Sequence, residues 1–157
     1  MEIERKWLVK RENIPFDLSK LPHKTIEQAY ISYAPTIRIR KINDGMSYVL
    51  TVKSAAAGLK REEFELLLSG EEYERLYNKH EGRVIKKTRF FKEEAGLTLE
   101  IDIFEGELCG LCYLEIEFPD EEAAVSYESP LWTCADVSSV KGYSNASLSK
   151  YGLPQDI

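Results

Sequence analysis

Apolar and charged positions alternate along most of this chain with a period of two, the spacing of strands whose two faces meet different surroundings. Extended segments with this pattern are expected at residues 2–9, 25–33, 36–43, 46–54, 60–68, 83–92, 97–105 and 112–118. Most of the breaks carry turn chemistry: Pro35, Asn43-Asp44-Gly45, Ala57-Gly58, Ala95-Gly96 and the stretch from Gly106 to Gly110. Such short breaks suit antiparallel neighbours, so the topology reads as successive hairpins. Three helical patches punctuate the strands. Ser69-Gly70-Glu71-Glu72 has the form of a capping box, and Tyr73, Leu76 and Tyr77 then recur at helical spacing, which predicts a helix over 70–80 ended by Gly82. Asp120-Glu121-Glu122 before Ala123-Ala124-Val125 predicts a second helix within 119–127. A last one over 145–151 stops at Gly152, with Pro154 just beyond.

The charges fall on these strands in a way that changes the picture. Glu2, Glu4 and Lys6 share one face of the first strand, and Arg38/Arg40, Lys53, Glu63/Glu65, Lys87/Arg89, Glu100/Asp102 and Glu115/Glu117 follow on later ones. The residues they bracket, such as Ile3, Ile39, Phe64, Ile101 and Ile116, point the other way and are apolar, with Thr88 the exception. At 31% charged residues, roughly one position in ten begins a charged i, i+2 pair by chance. Chance explains the like-sign grouping poorly, because cross-strand neighbours on a solvated face favour opposite signs. Closing eight antiparallel strands into a barrel gives an interior wide enough for side chains and one small ligand. The expected fold is therefore α+β: an eight-stranded antiparallel β-barrel, or tunnel, with a charged interior and an apolar outside covered by the short helices. Unpaired charges in that interior would be prohibitive. A ligand rich in negative oxygens, bound with divalent cations, balances both sets, since Arg and Lys hold phosphate oxygens and carboxylates hold hard cations. Polyphosphate with Mg2+ or Mn2+ meets that requirement.

Length and composition narrow the reading further. The 157 residues are most simply one domain over 1–157. A net charge of -6 disfavours generic binding to nucleic acid or to an anionic membrane. No apolar run approaches the ~20 residues of a membrane span and the chain opens on charges, so the expected location is the cytoplasm. Three cysteines, Cys109, Cys112 and Cys134, argue for reduced thiols. Cys109 and Cys112 have redox or half-zinc spacing but sit at a strand reversal with no second pair, and read as packing in a turn. His23 and His80 read as solvated, Trp7 as core, and Lys79, Arg83, Lys86 and Lys92 as an exposed basic face beside the inward Lys87 and Arg89.

The ordered set Glu2-x-Glu4-x-Lys6, Arg38-x-Arg40, Thr51-x-Lys53, Glu63-x-Glu65, Lys87-x-Arg89 and Glu115-x-Glu117 resembles the CYTH domain, also called the triphosphate tunnel metalloenzymes, over essentially the whole chain. That resemblance implies a tunnel that binds a triphosphate group and cleaves it with a divalent metal. Its members include inorganic tripolyphosphatases, thiamine triphosphatases, class IV adenylyl cyclases and fungal RNA triphosphatases, and the short bacterial ones mostly resemble tripolyphosphatases. It further implies that Glu2, Glu4, Glu115 and Glu117 bind metal, while Lys6, Arg38, Arg40, Lys53, Lys87 and Arg89 hold phosphate. Gln28-Ala29-Tyr30 resembles a Gln-Gly-Tyr segment whose tyrosine works with the lysine that Lys53 matches, here with Ala29 in place of the glycine. Lys141 resembles a basic residue before the last helix, and Glu63, Glu65, Glu100 and Asp102 are expected to orient the bases by ion pairs. The expected activity is hydrolysis of tripolyphosphate to pyrophosphate and phosphate, with Lys53, Tyr30 and Glu4 as catalytic groups and Mg2+ or Mn2+ as cofactor. The competing readings are a class IV-type adenylyl cyclase, a thiamine triphosphatase, and a noncatalytic polyphosphate- or nucleotide-binding module. The expected partner is a small-molecule triphosphate, with no nucleic acid and no membrane, on a monomer or homodimer.

Overall fold

The computed structural model describes residues 1–55 and 59–154; the expected turn at Ala57-Gly58 lies outside the described residues. The chain runs through β1 (Glu2–Val9), β2 (His23–Tyr33), β3 (Thr36–Ile42), β4 (Ser47–Lys53), β5 (Lys60–Arg61) and β6 (Glu63–Leu68). It continues through α1 (Gly70–Tyr77), β7 (Glu81–Glu94), β8 (Leu97–Phe104), β9 (Cys112–Glu117), α2 (Glu121–Ser126), β10 (Thr133–Asp136) and α3 (Asn145–Tyr151). The strands form one antiparallel sheet in the order β10-β1-β9-β8-β7-β2-β3-β4-β6, with β5 paired to β1. Two meanders, β2-β3-β4 and β7-β8-β9, follow the hairpin turns, and the β2–β7 pairing joins them.

The sheet curls into a nearly closed barrel, and the way it closes differs from the eight expected strands. The segment 60–68 is two strands, because Glu62 between them bonds Ser54: its N–H donates to Ser54 Oγ at 2.8 Å and its carbonyl accepts from the Ser54 N–H at 3.0 Å. β6 stays on β4, whereas β5 crosses to β1, setting Arg61 opposite Glu2 and Lys60 opposite Ile3. Two residue pairs thus form the seam of the ring. The unexpected β10 pairs with β1 further along, at Trp7 and Val9, and Asp136 is pinned there by Arg5 at 2.7 Å. Its sequence, Thr-Cys-Ala-Asp, has no apolar alternation to betray a strand.

The outward faces carry the expected apolar core. Ile3, Trp7 and Val9 of β1, Leu99 and Ile101 of β8, and Leu114 and Ile116 of β9 are buried with Phe118, just past β9, and with Ala124 of α2. Trp132 packs at the edge of this cluster, its ring set edge-on to Phe16. Ala29 and Ile39 are covered by Tyr73 of α1, whose capping box is present: Ser69 Oγ accepts from Glu72 N–H at 3.1 Å and Glu72 Oε1 accepts from Ser69 N–H at 2.8 Å. That helix ends at Tyr77 with Asn78 as its cap, not at Gly82. Gly82 lies in β7 at φ +68°, where a Cβ would collide with Tyr33 Oη and the Ser149 carbonyl, so the missing side chain is what lets α3 approach the sheet.

α3 also departs from the expectation that all three helices cover the outside. Its Leu148 packs with Tyr30, Ile85, Phe104 and Tyr113, which share strand faces with Gln28, Lys87, Asp102 and Glu115. These positions point into the barrel, so α3, with Val137 and Tyr143, stops one end with an apolar plug. The physical reason is that the inward positions near that end are themselves apolar and need a cover. Over β6 the outside stays bare, with Phe64 63% and Leu66 52% exposed. Among the described residues no helix is long and apolar enough to cross a membrane. Ile101→Ala, at a position with no exposed surface, is expected to lower the unfolding free energy by about 2–5 kcal/mol in urea titration. Leu131→Ala, at a fully exposed position, is expected to change it by less than about 0.5 kcal/mol.

Candidate active site

The inward faces line a cavity of about 540 Å³ away from the plug. Strand register sorts its charges into walls. On β1 and β9, Glu4 lies opposite Glu117 and Lys6 opposite Glu115, with Glu2 at the seam. On β3, β4 and β6, Arg38 lies beside Thr51 and Glu65, and Lys53 beside Glu63. β7 and β8 bring Arg89 opposite Asp102, and Glu100 of β8 lies opposite Glu115 of β9. Of the expected residues, Glu2, Glu4, Arg38, Arg40, Lys53, Glu63, Glu65, Arg89, Glu100, Glu115 and Glu117 line this cavity. Lys6 and Tyr30 line a smaller chamber beside it, together with Lys53.

Lys87 and Asp102 do not reach the cavity surface. Both side chains are fully buried, and Lys87 Nζ donates to Asp102 Oδ2 at 2.8 Å. Asp102 also accepts from Arg89 Nε at 2.7 Å and Nη2 at 2.9 Å, which turns the arginine toward the cavity from below. Lys141 sits on an exposed turn, away from the lining. Three further residues line it: Met1, beside Glu2 at the start of the first strand, Lys24 and Asn145. Lys24 starts the inward row that continues as Ile26 and Gln28, so extending the strand two residues toward the N-terminus would have found it. Asn145 comes from α3 and carries no strand signal.

Ion pairing divides the cations in two. Arg89 reaches Glu100 at 2.9 Å and Glu115 at 3.6 Å, Lys6 reaches Glu115 at 3.5 Å, and Lys53 lies between Glu2 at 3.1 Å and Glu63 at 3.6 Å. Among the described residues Arg38 and Arg40 have no carboxylate within ion-pair distance: Arg38 Nε is buried without a hydrogen bond, and Arg40 Nε donates only to Gln28 Oε1 at 2.8 Å. Burial, with Arg38 and Arg89 alongside, pushes Arg40 down to about 9, still protonated at neutral pH. Burial and the same neighbouring arginine lower Lys53, and burial with Arg89 lowers Lys24. Arg38, Arg40 and Lys24 thus crowd one wall with no carboxylate in ion-pair range among the described residues, which is the electrostatic form of an anion site.

The opposite wall has the complementary defect. Burial and neighbouring carboxylates push Glu2, Glu4 and Glu117 up: Glu63 acts on Glu2, Glu115 on Glu4, and Glu2 on Glu117. Among the described residues no three acidic, histidine or cysteine side chains converge as a ready-made metal centre. The donor set nevertheless fits a hard divalent cation, since it is all carboxylate oxygen and a cation would relieve the repulsion that raises these groups. Glu115 is the exception: burial pushes it up, but Lys6 and Arg89 outweigh burial and hold it at about 2. Cys112, in the outer apolar core, has its thiol pushed up to about 12 by burial, which leaves it unreactive.

The CYTH domain model matches residues 1–126. The inorganic triphosphatase of Nitrosomonas europaea is 36% identical over 150 residues, covering 94% of this chain and 95% of that protein. The inorganic triphosphatase of Acetivibrio thermocellus is 36% identical over 154 residues, covering 95% and 93%. A crystal structure of an inorganic triphosphatase superposes with a TM-score of 0.69 at 31% identity, covering 95% of this chain and 94% of that one.

The depressed Glu115 gives a pH prediction. A folded-state value of about 2 against an ordinary 4.5 means that its stabilisation is complete above about 4.5 and is lost as the pH falls to about 2. Glu115→Gln should therefore be less stable than the wild type near neutrality, and denaturant titrations should show the gap closing over that acid range. A gap that does not change with pH would contradict the assignment.

Proposed function

The chain belongs to the CYTH domain family, and from that premise we propose that it is an inorganic triphosphatase that hydrolyses tripolyphosphate to pyrophosphate and orthophosphate. The observation that carries the reading is the inward pair of a buried Arg38 and a half-buried Arg40, which among the described residues have no carboxylate in ion-pair range and lie opposite an acidic wall. A triphosphate supplies the oxygens this pair lacks. Its own charge would be repelled by the seven carboxylates that line the cavity, against five side-chain cations, so it must enter with cations. Family membership implies dependence on a metal. The reading assigns Mg2+ or Mn2+ to Glu2, Glu4, Glu115 and Glu117, where the ion would neutralise phosphate charge and polarise a phosphoryl oxygen.

Phosphoryl transfer asks a protein mainly for positioning and charge stabilisation. Arg38, Arg40, Lys24 and Arg89 would hold the chain of phosphates along the basic wall, and Lys6 would hold its end beside the plug. Lys53, lowered by burial and kept in place by Glu2 and Glu63, would meet the charge that develops on the bridging oxygen as the bond breaks. Tyr30 lines the same small chamber and would fix the transferred phosphoryl group against Lys53. Glu4, whose carboxylate is raised by burial and Glu115, would orient the attacking water and accept its proton. Lys87 acts in this reading through Asp102, and Glu65 lines the mouth with no cation in ion-pair range among the described residues. The reading places one domain over 1–157 in the cytoplasm, as a monomer or homodimer.

The test is turnover of tripolyphosphate, ATP and thiamine triphosphate with and without Mg2+ or Mn2+, following phosphate, pyrophosphate and cyclic AMP. Release of phosphate and pyrophosphate from tripolyphosphate, only with metal, is expected. Tight binding of tripolyphosphate without product would overturn the proposal in favour of a binding module, and cyclic AMP from ATP would favour a cyclase. Arg38→Ala and Lys53→Ala should each lower kcat/KM by about 10²-fold or more with the fold retained by circular dichroism.

A further inference from the structure

The second edge of β1 is shared by two strands that do not meet. β5 covers Glu2 and Ile3, and β10 with Val137 and Ser138 covers Lys6 onward, so among the described residues the edge at Glu4 and Arg5 faces no strand. Two small cavities of about 70 and 90 Å³ occupy this gap in the barrel wall. They share Glu4, Lys6, Arg61 and Ser144. The inner one also shares Glu4, Arg38, Lys53 and Asn145 with the main cavity, and the outer one ends at Val140, which is 48% exposed. A continuous side chamber thus leads from the catalytic lining to the surface, on the flank and not at the mouth.

Its chemistry is that of a monophosphate site. Arg38 and Arg61 line it with no carboxylate in ion-pair range among the described residues, and Lys6 and Lys53, which also pair with Glu115 and with Glu2 and Glu63, add positive charge. Two buried polar atoms on its inner lining lack a hydrogen-bond partner: Arg38 Nε, a donor, and Asn145 Oδ1, an acceptor. Glu4 adds a second acceptor. Orthophosphate near neutral pH carries an anionic oxygen and a P–OH together, so it satisfies both kinds and also answers the positive charge, which a water molecule in the same place leaves unbalanced. Each cavity holds only two or three water volumes of about 30 Å³, against about 540 Å³ for the main cavity, so one tetrahedral phosphate fits and a chain of phosphates does not.

We propose that this side chamber, with Arg61 as its characteristic residue, binds orthophosphate and is the route by which the smaller product leaves, while pyrophosphate leaves by the mouth. The inference rests on the triphosphatase reading for its reaction. There, water adds to the terminal phosphorus and loses a proton, the bridging P–O bond breaks, and the bridging oxygen departs with pyrophosphate. The new orthophosphate is then formed beside Lys53 and Tyr30, at the inner end of the chamber.

Equilibrium dialysis of radiolabelled orthophosphate against the full chain, in magnesium buffer with and without saturating pyrophosphate, tests this without turnover. The expected result is one bound orthophosphate that pyrophosphate does not displace. Arg61→Met should weaken that binding by about tenfold or more, the loss of one charge-assisted contact, and Arg61→Lys should recover part of it. Thermal unfolding of both variants should show that they are folded. Absence of orthophosphate binding, its full displacement by pyrophosphate, or equal affinity in the wild type and a folded Arg61→Met would overturn the proposal. Failure of the triphosphatase reading shows separately, as absence of phosphate release from tripolyphosphate by the wild type.

Discussion

Asp102 has no exposed surface, and it holds two cations, Lys87 at 2.8 Å and Arg89 at 2.7 and 2.9 Å. Withdrawing such groups from water costs several kcal/mol per ion, and only short charge-assisted bonds in good geometry offset it. The carboxyl is accordingly held far below its usual range, despite burial, by Arg89 and Lys87. Burial pushes Lys87 down to about 7 even with Asp102 beside it, while Arg89 is kept fully charged against burial by Asp102, Glu115 and Glu100. From Arg89 the pairing continues to Glu115 and on to Lys6, so one chain of ion pairs crosses β7, β8, β9 and β1. The rest of the lining depends on this anchor, because it decides which side chains are spoken for before any ligand arrives.

What it leaves over is informative. Glu2, Glu4 and Glu117 repel one another on one wall, and Arg38, Arg40 and Lys24 crowd the other. The strand ladders fix the backbone positions from which these like charges project into one cavity. Groups held in place in this way stabilise developing charge without reorganising during reaction. The lining therefore combines a self-neutralised half, which gives rigidity, with an unneutralised half, which gives affinity.

Much of this is legible in the chain, and for a definite reason. A strand's alternation is local, so Glu2, Glu4 and Lys6 reveal their common face against Ile3 and Trp7 without knowledge of any partner. The capping box of α1 is equally local. Three features depend on distant partners and leave no such mark. Lys87 shows the same i, i+2 pattern as Arg89, yet its depth below the cavity is set by Asp102 and Phe104 across the ladder. The 60–68 stave divides because Ser54 bonds Glu62, and α3 becomes a plug because inward Tyr30, Ile85 and Tyr113 need apolar cover. Gly82 was readable as special, but the close approach of Tyr33 and Ser149 that requires it was not.

The register of β1 also governs the order in which the molecule can assemble. Its main partners are Cys112–Glu117 and Thr133–Asp136, with Trp7 opposite Asp136 at the far end of the chain, and only the two-residue β5 lies nearer in sequence. A strand that must wait for such distant segments adds a large loop-closure entropy to its pairing. The local hairpins β2-β3-β4 and β7-β8-β9 close far smaller loops, so the basic wall on β2 and β3 costs less entropy to assemble than the acidic wall on β1 and β9.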